Sequence, residues 1–168
     1  MVDYEAQRNA LLAAKLLFDW DAVAMRRMIG ATVTKIEIDK GREYFLRFTT
    51  DKGIFLYNTE GDCCSETWFY HLLGVDCLLG HKIVSVQDTE PDDSHINDDG
   101  KSRQEWDEIY GIKITSDIGY MDIEFRNSSN GYYGGHLEYI ENPEEYLDDE
   151  YWRETLALFV DVKTDYTA

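Results

Sequence analysis

Thr32-Val33-Thr34-Lys35-Ile36-Glu37-Ile38-Asp39-Lys40-Gly41-Arg42-Glu43-Tyr44-Phe45-Leu46-Arg47-Phe48-Thr49-Thr50-Asp51-Lys52-Gly53 holds two runs in which apolar and polar residues alternate, each closed by Asp-Lys-Gly. Alternation with period two puts every second side chain on one face of a strand. Asp-Lys-Gly supplies the residues that tolerate a tight reversal. A third run, Ile54 to Tyr57, follows the second turn. Three short strands joined this tightly predict an antiparallel meander with one buried and one wet face.

Downstream, Gly61-Asp62-Cys63-Cys64-Ser65-Glu66-Thr67-Trp68-Phe69 reads as a corner and a short helix. Asp62 or Ser65 can cap it, and a helix running to Leu73 would set Cys64, Trp68 and Leu72 on one face before Gly74 closes it. A strand is expected over 82–87, then a long polar loop over 88–104, too long for a simple connection. Strands over 105–115 and 120–126 lead to Ser128-Ser129-Asn130-Gly131, a hairpin signal because Asn-Gly accepts positive φ. A final strand over 132–140 would complete a second meander.

Upstream, Leu12, Leu16 and Val23, with Leu11, Leu17 and Trp20, recur at helical spacing over 3–27, and Gly30 closes that helix. Beyond the strands, Asn142-Pro143 marks a helix start. A helix over 143–159 would turn Leu147, Tyr151, Thr155 and Leu158 inward, while the β-branched and aromatic Leu158-Phe159-Val160 leaves a strand open as the alternative at its end. The expected fold is α+β: two antiparallel meanders forming a sheet, a short central helix, and amino- and carboxy-terminal helices packed on it. One domain spans 1–168, with a helix over 1–28, a β-rich core over 29–140 and an acidic extension over 141–168.

With 168 residues, 43% hydrophobic and 14% aromatic, the composition is that of a globular domain rather than a disordered chain. No apolar run approaches the ~20 residues that span a bilayer, and Met1-Val2-Asp3-Tyr4-Glu5 lacks a basic region and apolar core of a signal peptide. Three cysteines fit a reducing compartment. Together these predict a cytoplasmic protein in a host cell. The net charge is −18. Residues 1–30 are balanced, whereas 90–108 carry a net −6 and 138–154 a net −7. Nucleic-acid binding demands the opposite sign, so a basic protein is the expected partner and direct nucleic-acid binding is not.

Ile29-Gly30, Phe48-Thr49-Thr50-Asp51-Lys52-Gly53, Asp62-Cys63-Cys64-Ser65-Glu66, Leu79-Gly80 and Ser129-Asn130-Gly131-Tyr132-Tyr133 occur in that order. This series resembles an uncharacterised family of small phage and actinobacterial domains, whose members carry an Asp-Cys-Cys-Glu-type run and a Ser-Asn-Gly-Tyr-Tyr hairpin. Here Ser65 stands between the cysteines and Glu66, and the segments 3–27 and 141–168 lie outside the resemblance. The resemblance implies a fold and a phage association, and no activity.

Several groups carry candidate chemistry. Cys63, Cys64 and Cys77 with His71 or His81 are the residue types zinc requires, but adjacent cysteines on a helix diverge by about 100°, against a shared ion. Cys63 at a helix start, with His71 or His81 as base and Asp62 or Asp76 to orient it, would make a thiol nucleophile. Asp62 and Glu66 beside it oppose thiolate formation, and buried structural cysteines are the plainer alternative. Tyr132 and Tyr133 point to opposite faces of a strand, so one belongs to the core and the other can anchor a partner. On a helix, Glu141, Glu145, Asp148 and Asp149 would form a carboxylate stripe. The acids of 88–99 do not follow the EF-hand spacing.

The favoured expectation is a non-enzymatic interaction protein, of phage or mobile-element type, binding a basic host protein such as a nuclease or a CRISPR-type complex. Its contacts would come from Glu90, Asp92, Asp93, Asp98, Asp99, Glu141, Glu144, Glu145, Asp148, Asp149, Tyr132 and Tyr133. No cofactor is expected, and the oligomeric state is left open. The alternative is a small Cys/His-centred enzyme or zinc protein built on Cys63, Cys64, Cys77 and His71.

Overall fold

In a computed structural model the described residues are 3, 5, 6, 9, 10, 13, 18–91, 95, 96, 99–131 and 133–168. The first meander forms as its alternation predicts: β1 (Val33–Asp39), β2 (Phe45–Thr50) and β3 (Gly53–Gly61) are successive antiparallel neighbours. The remaining strands are β4 (Glu66–Leu73), β5 (Ile83–Thr89), β6 (His95–Ile96), β7 (Trp106–Ser116), β8 (Tyr120–Ser129), β9 (Gly135–Ile140), β10 (Phe159–Asp161) and β11 (Tyr166–Thr167). Residues 5, 6, 9, 10 and 13, within the expected amino-terminal helix, are helical, and three further short α-helices are described: α1 (Asp21–Met25), α2 (Pro143–Tyr146) and α3 (Asp149–Leu158).

The strands make two antiparallel sheets, ordered β10-β1-β2-β3-β9 and β11-β4-β8-β7-β5, with β6 added to β7. Ile36, Ile38, Leu46, Phe48, Tyr57 and Leu137 from the first sheet meet Phe69, Leu72, Ile112, Ile123 and Phe125 from the second in one buried core. Two sheets packed face to face are a β-sandwich. At one corner the sheets are tied by main-chain bonds: Gly30 N–H donates to Ile83 O at 2.8 Å and Gly80 N–H to Val33 O at 2.7 Å.

The α+β expectation is therefore corrected: the chain is mostly β, with only short helices. The central helix over 62–73 does not form, because β4 is a strand paired with both β8 and β11. The helix expected over 3–27 does not run through: Trp20 is extended, with φ −120° and ψ 159°, and bridges Glu138 of β9. Leu11, Leu12, Leu16 and Leu17 of that expectation lie outside the described residues. Residues 143–159 break at Leu147, which is extended, and resume as α3. Nor is there a hairpin at Asn130-Gly131. β8 belongs to the second sheet and β9 to the first, so the turn is a crossover between sheets. Gly135 permits it: a Cβ there would meet Thr67 Oγ1 at 2.2 Å and Glu60 O at 3.0 Å.

α1 sits across the open side between β5 and β9. Arg26 Nε donates to Val86 O at 3.0 Å, Leu137 N–H to the buried Asp21 Oδ1 at 2.7 Å, and the Tyr57 hydroxyl to Ala24 O at 3.1 Å.

Candidate functional site

The register of the first sheet decides what its outer face carries. Phe45 is opposite Asn58, Asn58 opposite Glu138, and Glu60 opposite His136. Residues facing one another in register share a face, so β2, β3 and β9 present Phe45, Arg47, Leu56, Asn58, Glu60, His136, Glu138 and Ile140 outward. α3 covers the β1–β2 half. Trp152 lies edge-on to Phe45, with centroids 5.8 Å apart, and the Arg47 guanidinium sits 4.2 Å from the centre of the Phe159 ring. The β3–β9 half stays open beneath α2. There a groove of about 510 Å³ is lined by Arg27, Asn58, Glu60, Glu138 to Glu141, Tyr146 and Leu147, within the size range of small-ligand clefts.

Inside the groove the charge is mainly negative. Asn58 Nδ2 donates to Glu60 Oε1 at 2.7 Å, and His136 Nε2 lies 2.9 Å from Glu138 Oε1. Burial, and then the charge of Glu138, hold the Glu60 carboxyl above its ordinary range. Arg27 is the cation on the wall, and it is already committed: it pairs with Asp19 and lies 4.5 Å from the Tyr139 ring centre. Three glutamates, Glu60, Glu138 and Glu141, line the groove against the one committed guanidinium, and the arrangement attracts an external positive charge.

On the rim, Glu141, Glu144, Glu145, Asp148, Asp149 and Glu150 are all exposed, and none forms an ion pair with a described residue. They do not form the expected helical stripe, because the chain is extended at Leu147. Asp148 instead caps α3, accepting the Glu150 N–H at 3.0 Å and the Tyr151 N–H at 3.3 Å. Tyr146, 74% exposed, stands between these acids on the groove wall.

The loop before β7 is differently disposed. Asp99, proposed from sequence as a partner contact, is bonded to Arg126 Nη1 at 2.7 Å on the outer face of the second sheet. Arg126 is buried, also meets Asp107 at 3.1 Å and Glu124 at 2.9 Å, and lies 3.8 Å from the Tyr70 ring centre. Burial opposes its charge, but its three carboxylate partners outweigh that and raise its pKa. Arg103 is a second anchor, 2.9 Å from Glu66 and 4.5 Å from the Trp68 ring centre. Glu90 is exposed and Tyr133 half-buried. Asp92, Asp93, Asp98 and Tyr132 lie outside the described residues.

The cysteines do not converge. Cys63 and Cys64 are exposed in the β3–β4 turn. Cys77 lies past the far end of β4, an eight-residue strand about 26 Å long at the usual rise. His71 is within β4, paired with Thr167 of β11, and His81 Nδ1 is 3.2 Å from Asp117. Asp76 lies beside Cys77, at the same far end. Among the described residues no three His, Cys, Asp or Glu side chains gather as a metal site.

Sequence reasoning missed Arg27, Asn58, Glu60 and Glu138 as groove residues. Their common location follows from the β3–β9 pairing, which joins segments about eighty residues apart and leaves no local signal. Arg103 and Arg126 had a faint one: they are isolated bases within or opposite acidic stretches.

A family model described as Domain of unknown function (DUF7448) matches residues 26–139. An uncharacterized protein of Acanthamoeba polyphaga mimivirus is 32% identical over 85 residues, which make up 49% of this chain and 65% of that protein. The chain thus covers slightly less than two thirds of that relative's length. No solved structure matches it. These similarities give a domain of unassigned function with a viral relative; a phage or actinobacterial association goes further than they do. No helix among the described residues is long and apolar enough to cross a membrane.

Proposed function

The chain belongs, through residues 26–139, to the family described as Domain of unknown function (DUF7448), and from that premise we propose that it is a non-enzymatic viral interaction protein that binds a basic protein surface. The observation that carries this reading is the groove under α2 with its rim of exposed carboxylates from Glu141 to Glu150, none of which forms an ion pair with a described residue. Carboxylates already paired inside a fold contribute little to a partner, as Asp99 does on Arg126. Apart from Asp148, which caps α3, the rim acids have no ion-pair partner among the described residues and can act on one. A row of them competes for the lysines and arginines with which a protein holds phosphates.

The concrete form of the proposal is anti-defence inhibition in the host cytoplasm, with a nuclease or a CRISPR-type complex as target. Glu60 and Glu141 would receive one lysine or arginine side chain in the groove, with the ring of Tyr146 against it. The rim acids would steer the approach. The viral relative supports such a setting.

The test is capture from host lysate by immobilised wild type and by the double variant Glu144→Lys/Glu145→Lys, at low salt and at about 0.5 M salt, where charges are screened beyond a few Å. The proposal expects a basic, nucleic-acid-binding protein retained by wild type at low salt only, released by added nucleic acid, and lost from a variant whose circular dichroism is unchanged. Capture indifferent to both salt and charge reversal would overturn it.

A further inference from the structure

The turn between β3 and β4 contains two thiols that the binding surface does not use. Cys63 Sγ and Cys64 Sγ are 3.3 Å apart and both residues are exposed. Neighbouring side chains on an extended chain point apart; here Cys63 adopts φ +29°, the left-handed region, and the two sulfurs come together. That conformation is held from three sides. Ser65 N–H donates to Asp62 O at 2.9 Å, Asp62 N–H to Gly134 O at 3.0 Å, and Gln104 Nε2 to Cys64 O at 3.0 Å.

The acids that flank the pair are turned elsewhere. Glu66 accepts from the Tyr44 hydroxyl at 2.6 Å and from Arg103 at 2.9 Å, and Asp62 Oδ2 faces Gly134 N–H at 3.4 Å. What pushes the Cys64 thiol up is its contact with Cys63 rather than either acid. The third thiol cannot intervene, because Cys77 lies beyond the other end of β4 with its sulfur against Gly119.

We propose that Cys63 and Cys64 form a built thiol–disulfide exchange site that takes small-molecule disulfides and closes to a disulfide between the adjacent cysteines. In the first step one cysteine thiolate attacks a sulfur of the small disulfide, whose S–S bond breaks and releases one small thiolate. In the second, the neighbouring thiolate attacks the protein-side sulfur of the mixed disulfide and expels the other small thiolate. Two cysteine thiols are oxidised, one small disulfide is reduced to two thiols, and the two protons from the cysteines end on them. Attack on a sulfur already in contact needs no chain closure, so the mixed disulfide is short-lived.

The experiment equilibrates the full chain with oxidised and reduced glutathione, folded in buffer and unfolded in urea, and reads intact mass and free-thiol count. The folded chain should lose the mass of two hydrogens, keep one alkylatable thiol, carry no glutathionyl group and remain a single chain on a non-reducing gel. Closure should require a glutathione disulfide-to-thiol ratio about tenfold lower for the folded chain than for the unfolded one. Cys64→Ser should instead stop at a glutathionyl adduct on Cys63, with circular dichroism confirming that the variant is folded. Persistent adducts on wild type, cross-linked chains, two thiols that stay alkylatable, or equal ratios for folded and unfolded chains would each overturn the proposal.

Discussion

Asp39, fully buried at the end of β1, shows how one side chain can trade stability for local order. Its Oδ1 accepts the Phe45 N–H at 2.7 Å, while Oδ2 has no hydrogen-bond partner among the described residues. Burial pushes its carboxyl up to about 6, against the pull of backbone amides and Arg42. The folded state therefore holds this proton more tightly than the unfolded state, and the group's contribution declines as pH rises from about 4 to about 6. Asparagine keeps the acceptor for Phe45 and does not titrate. The stability of Asp39→Asn relative to wild type should accordingly improve by about 2 kcal/mol between about pH 4.5 and about pH 7. Urea denaturation at the two pH values checks it; a constant difference would refute the assignment. Arg126 and Asp107 resolve the same problem differently. There the buried carboxylate has a guanidinium at 3.1 Å and a hydrogen bond from the Ser128 hydroxyl, so neither charge is left alone in the interior.

At the scale of elements, the α3 cap separates a structural acid from a functional one. Asp148→Ala should cost about 1 kcal/mol, because two N–H groups lose their acceptor. Glu145→Ala, at an exposed position without a described partner, should stay within about 0.5 kcal/mol of wild type. Thermal melts of the two variants distinguish these outcomes, and equal losses would mean that the cap is not formed. The same acids explain what could be read from the sequence. β1, β2 and β3 were legible because the face turned to the main core is apolar while Glu37, Arg47 and Asn58 mark the other, although α3 buries Phe45 and Leu56 on that outer face as well. β4 was not: a register shift between Phe69 and His71 breaks its period of two, leaving Cys64, Trp68 and Leu72 at helical spacing. Its Thr, Trp, Phe and Tyr content was the overlooked strand signal. The reversal at Asn130-Gly131 was legible, and Gly131 has φ +94°. The sheet that its outgoing strand would join was not, since pairing with β3 is non-local. In the carboxy-terminal segment, Asp148 followed by two more acids was a cap signal, outweighed by the apparent continuity of one long helix. Of the candidate site, the rim acids were visible in the charge distribution; the groove behind them was assembled only by folding.

For the whole molecule, the segment after residue 140 is part of the sandwich. β10 pairs with β1, placing Val160 opposite Ile38, and β11 pairs with β4, placing Tyr166 opposite Leu72. A chain stopped at Leu158 would lose the outermost strand of both sheets. It should aggregate or associate through the bared edges of β1 and β4, since unpaired edges recruit further strands. Light scattering and size-exclusion chromatography of the truncated chain test this, and a stable monomer with native circular dichroism would contradict it. The placement of β10 and β11 also has a consequence for synthesis. Nine strands emerge from the ribosome before either of these does, so the nascent sandwich must wait with two open flanks until residues 159–167 arrive. Neither sheet can be completed early, and the interval before residues 159–167 emerge is when this fold most needs protection by chaperones.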